Sequence, residues 1–161
     1  MKIISDNWIK VILILSIFAI STALIAEHFF NINPCKMCLN QRYPYYFIIA
    51  AIIIYYLIKK NFTIFFSVLF ELAIFYGLFY SIWHVAIETG LLKGPAGCSI
   101  SLEDSSSLEN LKKQILEQQV ISCEDINWVF FGISAASINT LLLLFFLIFN
   151  TIFIYKSYYA K

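Results

Sequence analysis

The sequence predicts an all-α integral membrane protein built as a bundle of four transmembrane helices. Of its 161 residues, 61% are hydrophobic and only 13% are charged, whereas a soluble domain carries about 25% charged residues. The apolar residues form four long runs, and in lipid each run must be helical because its backbone has no water to bond. The net charge of +1 and the lack of a Lys/Arg-rich stretch indicate no nucleic-acid partner.

We place four spans in a single domain, at about 9–30, 41–59, 62–87 and 128–155. A helix needs about 20 apolar residues to cross a core ~30 Å thick. The second run is short, so we expect its helix to begin earlier, near Pro34. The residues before Glu27 do not match a small-x-small cleavage site, which favours an uncleaved first span over a signal peptide.

Lysine placement predicts the orientation. The six lysines at the termini and in the turn between the second and third spans fall on one side: Lys2, Lys10, Lys59, Lys60, Lys156 and Lys161. The other side carries nearly as many positive charges, but they are spread over two longer loops. The positive-inside rule is strongest for short loops, so we place both termini in the cytoplasm. All four cysteines then lie on the outer side, where disulfides persist.

The second outer loop, roughly Glu88 to Asn127, is the longer of the two. Ser106 and Glu109 have the spacing of a capping box, and apolar residues follow at helical intervals. We therefore predict a short amphipathic helix from about Ser107 to Gln119, lying in the membrane interface. A solvated loop helix has the same pattern, so both interpretations stay open.

The outer loop before the second span contains a CxxC motif, Cys35 and Cys38. Asn33 can cap a helix and Pro34 suits its first turn. Both thiols would then lie near a helix N-terminus, whose partial positive charge favours the thiolate. On a continuous helix Arg42 would share their face, where its permanent charge could stabilise a thiolate or a reduced, anionic ring.

Other interpretations of the cysteines are weaker. A zinc site would need a second CxxC, and a c-type haem motif has histidine where Leu39 stands. A purely structural disulfide is less suited to this strained spacing. Cys98 and Cys123, with 24 residues between them, could form a structural staple worth about 3 kcal/mol. The CxxC pair on the same side favours the alternative, in which the two pairs relay electrons by successive disulfide exchange.

The segment from Pro34 to Pro44, with both CxxC cysteines and Arg42, resembles the signature of the bacterial disulfide-bond-formation protein B (DsbB) family. Trp83-His84 followed by Glu88 and Cys98 is similar to the end of the family's third span. Cys123 with Trp128 and Gly132 is similar to the entry to its fourth. The resemblance covers all four spans and the order of the four cysteines.

This resemblance implies a protein dithiol:quinone oxidoreductase of the inner membrane. Its partners would be a periplasmic thioredoxin-fold oxidase of the DsbA type and the membrane quinone pool (ubiquinone or menaquinone). Cys98 and Cys123 would form the disulfide that DsbA attacks, with Cys98 taking the mixed disulfide. Cys123 would then attack the Cys35–Cys38 disulfide at Cys35, and Cys38 would meet the quinone. Arg42 and His84 match residues that border the quinone in the family.

Three further residues have competing interpretations. His84 could instead be an interfacial histidine bonded to a helix carbonyl. Glu71 lies inside the third span, where an ionisable group usually faces a partner or a water path. We expect a structural hydrogen bond to Asn139 or Ser134, with proton supply as the alternative. Glu88 is expected to be solvated or paired rather than catalytic.

Two rival functions remain. A vitamin K epoxide reductase-like enzyme is also a four-span, quinone-linked thiol protein, but its CxxC belongs near the last span, whereas here it precedes the second. The other rival is a non-catalytic membrane scaffold with structural disulfides. That rival predicts that replacing Cys35 changes no quinone chemistry.

Overall fold

The computed structural model describes residues 2–58, 62–94, 123, 129–130 and 132–159, and this part of the chain is almost entirely helical. Its helices are α1 (Lys2–Phe29), α2 (Lys36–Asn40), α3 (Tyr43–Leu57), α4 (Thr63–Glu88) and α5 (Ala135–Tyr159). A two-stranded hairpin, β1 (Val129–Phe130) and β2 (Ile133–Ser134), precedes α5. The amphipathic helix predicted at 107–119 and Cys98 lie outside the described residues.

Three of the helices are long and apolar enough to cross a membrane: Asn7–Phe29, Thr63–Glu88 and Ala135–Tyr159. They correspond to the first, third and fourth predicted spans. The second predicted span contains α3, which has 15 residues and would extend only about 22 Å at 1.5 Å per residue. The all-helical membrane bundle is therefore supported, and a fourth complete span remains a prediction.

The start predicted for the last span was wrong. Helix α5 begins at Ala135, not at residue 128, because the intervening chain folds back as the hairpin. Gly132 has φ +82, a conformation that glycine adopts without steric cost, and it lies in the turn between the two strands. Ser134 then starts the helix by accepting a hydrogen bond of 3.2 Å from the Ser137 backbone N–H, as an N-cap residue does.

The second helix also differs from the expectation. A continuous helix from near Pro34 was wrong, because α2 ends at Asn40 and Gln41 and Arg42 form a turn before α3. The helical spacing of residues in the CxxC segment therefore does not continue into the second apolar run. Residues placed on one face by helical spacing, such as Cys38 and Arg42, need not share a face in the fold.

The core of the bundle lies where the long helices pack together, with α4 and α5 in the most extensive contact. Fully buried side chains come from all four of them: Ile12, Ile48, Ile52, Phe70, Ile74, Leu143 and Phe146. Gly77 lets α3 approach α4, since a Cβ at this position would lie 2.8 Å from Pro44 Cγ. Large apolar side chains on the outer faces are exposed, as expected for surfaces that face lipid: Phe18, Ile53, Leu72, Phe79 and Leu141.

Glu71 has a partner on the last helix, as expected, but the residues named for it were wrong. Its carboxyl oxygens lie 2.5 Å from Asn150 Nδ2 and 2.5 Å from Thr151 Oγ1. Asn150 also accepts a hydrogen bond from the Trp8 indole, which ties α1 into the same cluster. Because α4 and α5 run antiparallel, Glu71 in the first half of α4 meets the second half of α5. Asn139 lies near the opposite end.

Candidate active site

The CxxC motif lies in the short segment between α1 and α3, and the local structure differs from the expected capping. Cys35 itself is the N-cap of α2, and its Sγ accepts a hydrogen bond of 3.2 Å from the Cys38 backbone N–H. The expectation that Asn33 caps the helix and Pro34 forms its first turn was therefore wrong. The N-cap role falls to Cys35 because its backbone is extended, with ψ 165, just before the first helical residue.

The two thiols of this motif are in direct contact, with their Sγ atoms 2.8 Å apart. Cys35 is buried and Cys38 is half-buried. Cys123 is buried in the same apolar cluster, with Met37 and Ile87. The structure therefore brings three of the four predicted site cysteines together at one end of the bundle.

The shared hydrogen bond makes the two thiols chemically unequal. Together with burial, it raises the pKa of Cys35 to about 12. The same bond lowers the pKa of Cys38, because the Cys35 thiol donates to the Cys38 sulfur, although burial acts the other way. Both thiolates were expected to be favoured by the helix N-terminus, but only the pKa of Cys38 is lowered, and its main cause is the hydrogen bond from Cys35. In the reduced pair the proton is thus held more tightly by Cys35 than by Cys38.

This inequality predicts a large difference in alkylation. A lowered pKa leaves more Cys38 as thiolate at a given pH, whereas a pKa of about 12 keeps Cys35 protonated through the neutral range. Since the thiolate is the nucleophile, a short iodoacetamide pulse at neutral pH should label Cys38 more than about tenfold faster than Cys35. Peptide mass spectrometry over a pH series measures both rates.

The assigned proton position can also be tested with a variant, and one labelling result would contradict it. Cys35→Ser replaces the thiol donor to Cys38 by a weaker acid, so its Cys38 labelling should move to higher pH. Equal labelling of the two cysteines, or faster labelling of Cys35, would contradict the assigned proton position.

His84 is buried beside the cysteine pair. Its Nε2 lies 3.6 Å from Cys35 Sγ and 3.8 Å from Glu88 Oε1. Its Nδ1 lies 3.0 Å from Gln41 Nε2. The alternative of a histidine bonded to a helix carbonyl is wrong, because these partners are all side chains. Glu88 is paired, as expected, and accepts a hydrogen bond of 2.5 Å from Ser134 Oγ.

Arg42 does not lie with the thiols on one helix face as the spacing suggested. Its guanidinium forms a salt bridge of 2.6 Å with Glu27, near the end of α1. The turn between α2 and α3 redirects the side chain toward α1, where the first apolar run meets the CxxC segment. Arg42 therefore contributes a positive charge at this end of the bundle, with its side chain 13% exposed.

The polar residues on the Nδ1 side of His84 were not predicted from the sequence. Gln41 stands inside the CxxC signature but received no role, and Asn139 was assigned to Glu71. In the structure Asn139 Nδ2 donates to Gln41 Oε1 at 3.0 Å and to Ser81 Oγ at 3.1 Å. A signal was available, because polar side chains inside apolar runs usually have partners within the bundle.

The thiol pair and His84 also have the atom types of a soft-metal site, with their donor atoms within 4.8 Å of one another. Two thiolates bound tetrahedrally at about 2.3 Å from zinc would be roughly 3.8 Å apart. The observed sulfur separation of 2.8 Å is shorter than that, so the pair is not spaced as zinc ligands.

An apolar helical bundle with a reactive thiol pair at one end defines a membrane thiol–disulfide protein. The chain belongs to the DsbB family, whose model, described as "Disulfide bond formation protein DsbB", matches residues 5–153. The predicted family is thereby confirmed, and membership implies a role in disulfide bond formation through oxidoreductase chemistry.

A curated protein is similar to the chain over most of its length. The chain is 31% identical over 143 residues to "Uncharacterized protein RP370" of Rickettsia prowazekii (strain Madrid E), covering 86% of this chain and 81% of that protein. No solved structure matches the chain significantly.

Proposed function

We propose that this protein re-oxidises a periplasmic DsbA-like dithiol protein and passes the two electrons to a membrane quinone. The observation that carries the proposal is the contact of Cys35 with Cys38 at 2.8 Å, inside a buried cluster that also holds Cys123. Disulfide exchange needs three sulfurs within reach of one another. This cluster supplies three, and the fourth, Cys98, belongs to the proposal through the family pattern.

The exchange proceeds in balanced steps. The partner's two thiols give up two electrons and two protons, and the Cys98–Cys123 disulfide is reduced by way of a mixed disulfide at Cys98. The Cys123 thiolate then attacks Cys35, the bond from Cys35 to Cys38 breaks, and Cys38 leaves as a thiolate. A second attack by Cys98 on Cys123 restores the outer disulfide and leaves the Cys35–Cys38 pair reduced.

The unequal pKa values support this direction of attack. In thiol exchange the sulfur that forms the more stable thiolate is the better leaving group. The pKa of Cys38 is lowered and that of Cys35 is raised. Attack at Cys35 with departure of Cys38 is therefore the favoured course, and it leaves the charge on the residue that is the more exposed of the two.

The residues at this end of the bundle fit a quinone. Cys38 is half-buried and Leu39 beside it is 42% exposed, so the thiolate lies next to a surface open to an apolar ring. Arg42 holds a fixed positive charge on the same segment, positioned by Glu27. When bound, the quinone accepts two electrons and two protons and becomes the quinol. Arg42 and His84 are proposed to border it.

The bundle geometry supports the proposed orientation in the inner membrane. The site is built from the end of α1, the segment before α3, the end of α4 and the start of α5. These parts lie at one end of the molecule, opposite the chain termini. Both termini would then be cytoplasmic and the cysteines periplasmic, as the lysine distribution predicts.

The direct test follows quinone absorbance after a reduced DsbA-type protein is added to the purified protein in detergent with excess quinone. We expect one quinone reduced for each partner dithiol oxidised, because each exchange moves two electrons. The Cys35→Ser variant should reduce none. A parent protein that leaves the quinone oxidised, or that matches the variant, would favour the non-catalytic scaffold.

A further inference from the structure

The imidazole of His84 has different chemical partners at its two nitrogens. An amide nitrogen, Gln41 Nε2, faces Nδ1 at 3.0 Å. Nε2 faces the sulfur of Cys35 and the carboxylate of Glu88, at 3.6 Å and 3.8 Å. A neutral imidazole carries one proton, and the partner of one nitrogen decides which nitrogen holds it. The orientation of the Gln41 amide therefore determines what His84 presents to the cysteine pair.

The Gln41 amide is held in one orientation by two contacts. Its nitrogen points to the Tyr80 backbone carbonyl at 3.5 Å, and a carbonyl can only accept. Its oxygen receives the Asn139 side-chain N–H at 3.0 Å. Exchanging the two ends of the amide would set oxygen against oxygen at Tyr80 and nitrogen against nitrogen at Asn139. The nitrogen of Gln41 thus stays on the His84 side.

Asn139 is itself oriented, through Ser81. The Ser81 hydroxyl donates to the backbone carbonyl of Ala136 at 3.1 Å. The Thr140 hydroxyl, 2.7 Å from Ser81 Oγ, is a second possible acceptor. A hydroxyl has a single proton, and with that proton given to Ala136 or Thr140 the oxygen of Ser81 is left to accept from Asn139 Nδ2, 3.1 Å away. On its other side, Asn139 Oδ1 accepts from the Tyr45 hydroxyl at 2.5 Å. Two backbone carbonyls, of Tyr80 and Ala136, therefore fix the direction of every bond between them and His84.

We propose that Gln41 and Asn139 are positioning residues that hold neutral His84 with its proton on Nε2, directed at the Cys35 sulfur. In this form Nδ1 accepts from Gln41 and Nε2–H donates to Cys35. The donated bond stabilises negative charge on the Cys35 sulfur as Cys35 loses its proton and bonds again to Cys38, a step in which the quinone takes up the two electrons and the two protons. The kinetic part of this inference rests on the proposed function, but the proton position does not.

The proton position can be measured by NMR without partner or quinone. The chain contains two histidines, His28 and His84, so His28→Gln leaves one signal set in protein labelled with ¹⁵N-histidine. Long-range ¹H–¹⁵N correlation of the reduced protein at mildly alkaline pH separates a protonated from an unprotonated ring nitrogen. We expect Nε2 protonated and Nδ1 unprotonated.

Three variants, each made in the His28→Gln protein, test whether the hydrogen-bond chain sets the proton position. Gln41→Glu puts an acceptor of the same shape against Nδ1, so the proton of the ring should move to Nδ1 or the ring should gain a second proton there. Asn139→Leu frees the Gln41 amide and should give a mixture of tautomers. Thr22→Val, which removes an exposed hydroxyl bonded to the Phe18 backbone carbonyl within α1, should match the parent.

A parent spectrum with the proton on Nδ1 would overturn the inference. So would an Asn139→Leu spectrum identical to the parent in a protein with unchanged helix content. If the proposed function also holds, Gln41→Glu should slow quinone-dependent oxidation of the thiol pair by about tenfold or more. A correct proton position with no quinone reduction in the parent would instead refute the proposed function and leave this inference standing.

Discussion

Cys38→Ser is expected to abolish electron transfer to quinone, lowering the steady-state rate by at least about a thousandfold, as loss of a reacting nucleophile does. Cys38 is the sulfur whose pKa is lowered by the hydrogen bond from Cys35, and it is also the less buried of the pair. A serine hydroxyl can neither form the disulfide nor leave as a stable anion. Stopped-flow absorbance of the quinone with reduced partner in excess measures the loss.

A matched control is available within the motif. Lys36 lies between the two cysteines and is exposed, and it has no part in the proposed chemistry. Lys36→Gln should therefore keep the rate within about twofold of the parent, as an ordinary surface substitution does. A Cys38→Ser protein that still reduces quinone at the parental rate would show that the electrons leave by another route.

The second large effect is a trapped complex. In Cys123→Ala the free Cys98 thiolate can attack the disulfide of the oxidised partner. The bond between the partner's two sulfurs breaks, one of them bonds to Cys98, and no Cys123 remains to displace it. We expect a covalent adduct with a periplasmic thioredoxin-fold oxidase on a non-reducing gel of membranes, accounting for most of the protein. The adduct should disappear with dithiothreitol.

The double variant with both Cys98 and Cys123 replaced by alanine is the control and should form no adduct. The experiment also tests the orientation, because a periplasmic oxidase can reach Cys98 only if the second loop lies outside the cytoplasm. If the adduct forms equally in the double variant, or only with cytoplasmic proteins, the proposed partner and orientation are both wrong.

The class of the protein and its CxxC pair could be predicted from the sequence alone. Long apolar runs must be helical in lipid whatever their neighbours do, and three of the predicted spans appear as helices of sufficient length. The CxxC motif is equally local, because two residues of separation bring the sulfurs together on any tight turn. The family followed from the same segment, and the match over residues 5–153 confirms it.

Where prediction from the sequence failed, a local interruption or a long-range contact was responsible. The turn at Gln41 and Arg42 ended the helix on which Cys38 and Arg42 were to share a face, and the hairpin with Gly132 moved the start of the last span. Glu71 found Asn150 rather than Asn139 because the register of α4 against α5 is set by packing along the whole interface.

The residues that surround the thiols are brought there by the packing of the helices. The side chain of His84 contacts Cys35, which is 49 residues away in the sequence, and Asn139 donates to Gln41, which is 98 residues away. Hydropathy and spacing contain no information about such pairs, since the antiparallel register and rotation of one helix against another depend on how their side chains interlock. The sequence therefore determines that a CxxC pair is present, and helix packing determines that His84 and the hydrogen-bonded pair Gln41 and Asn139 lie beside it.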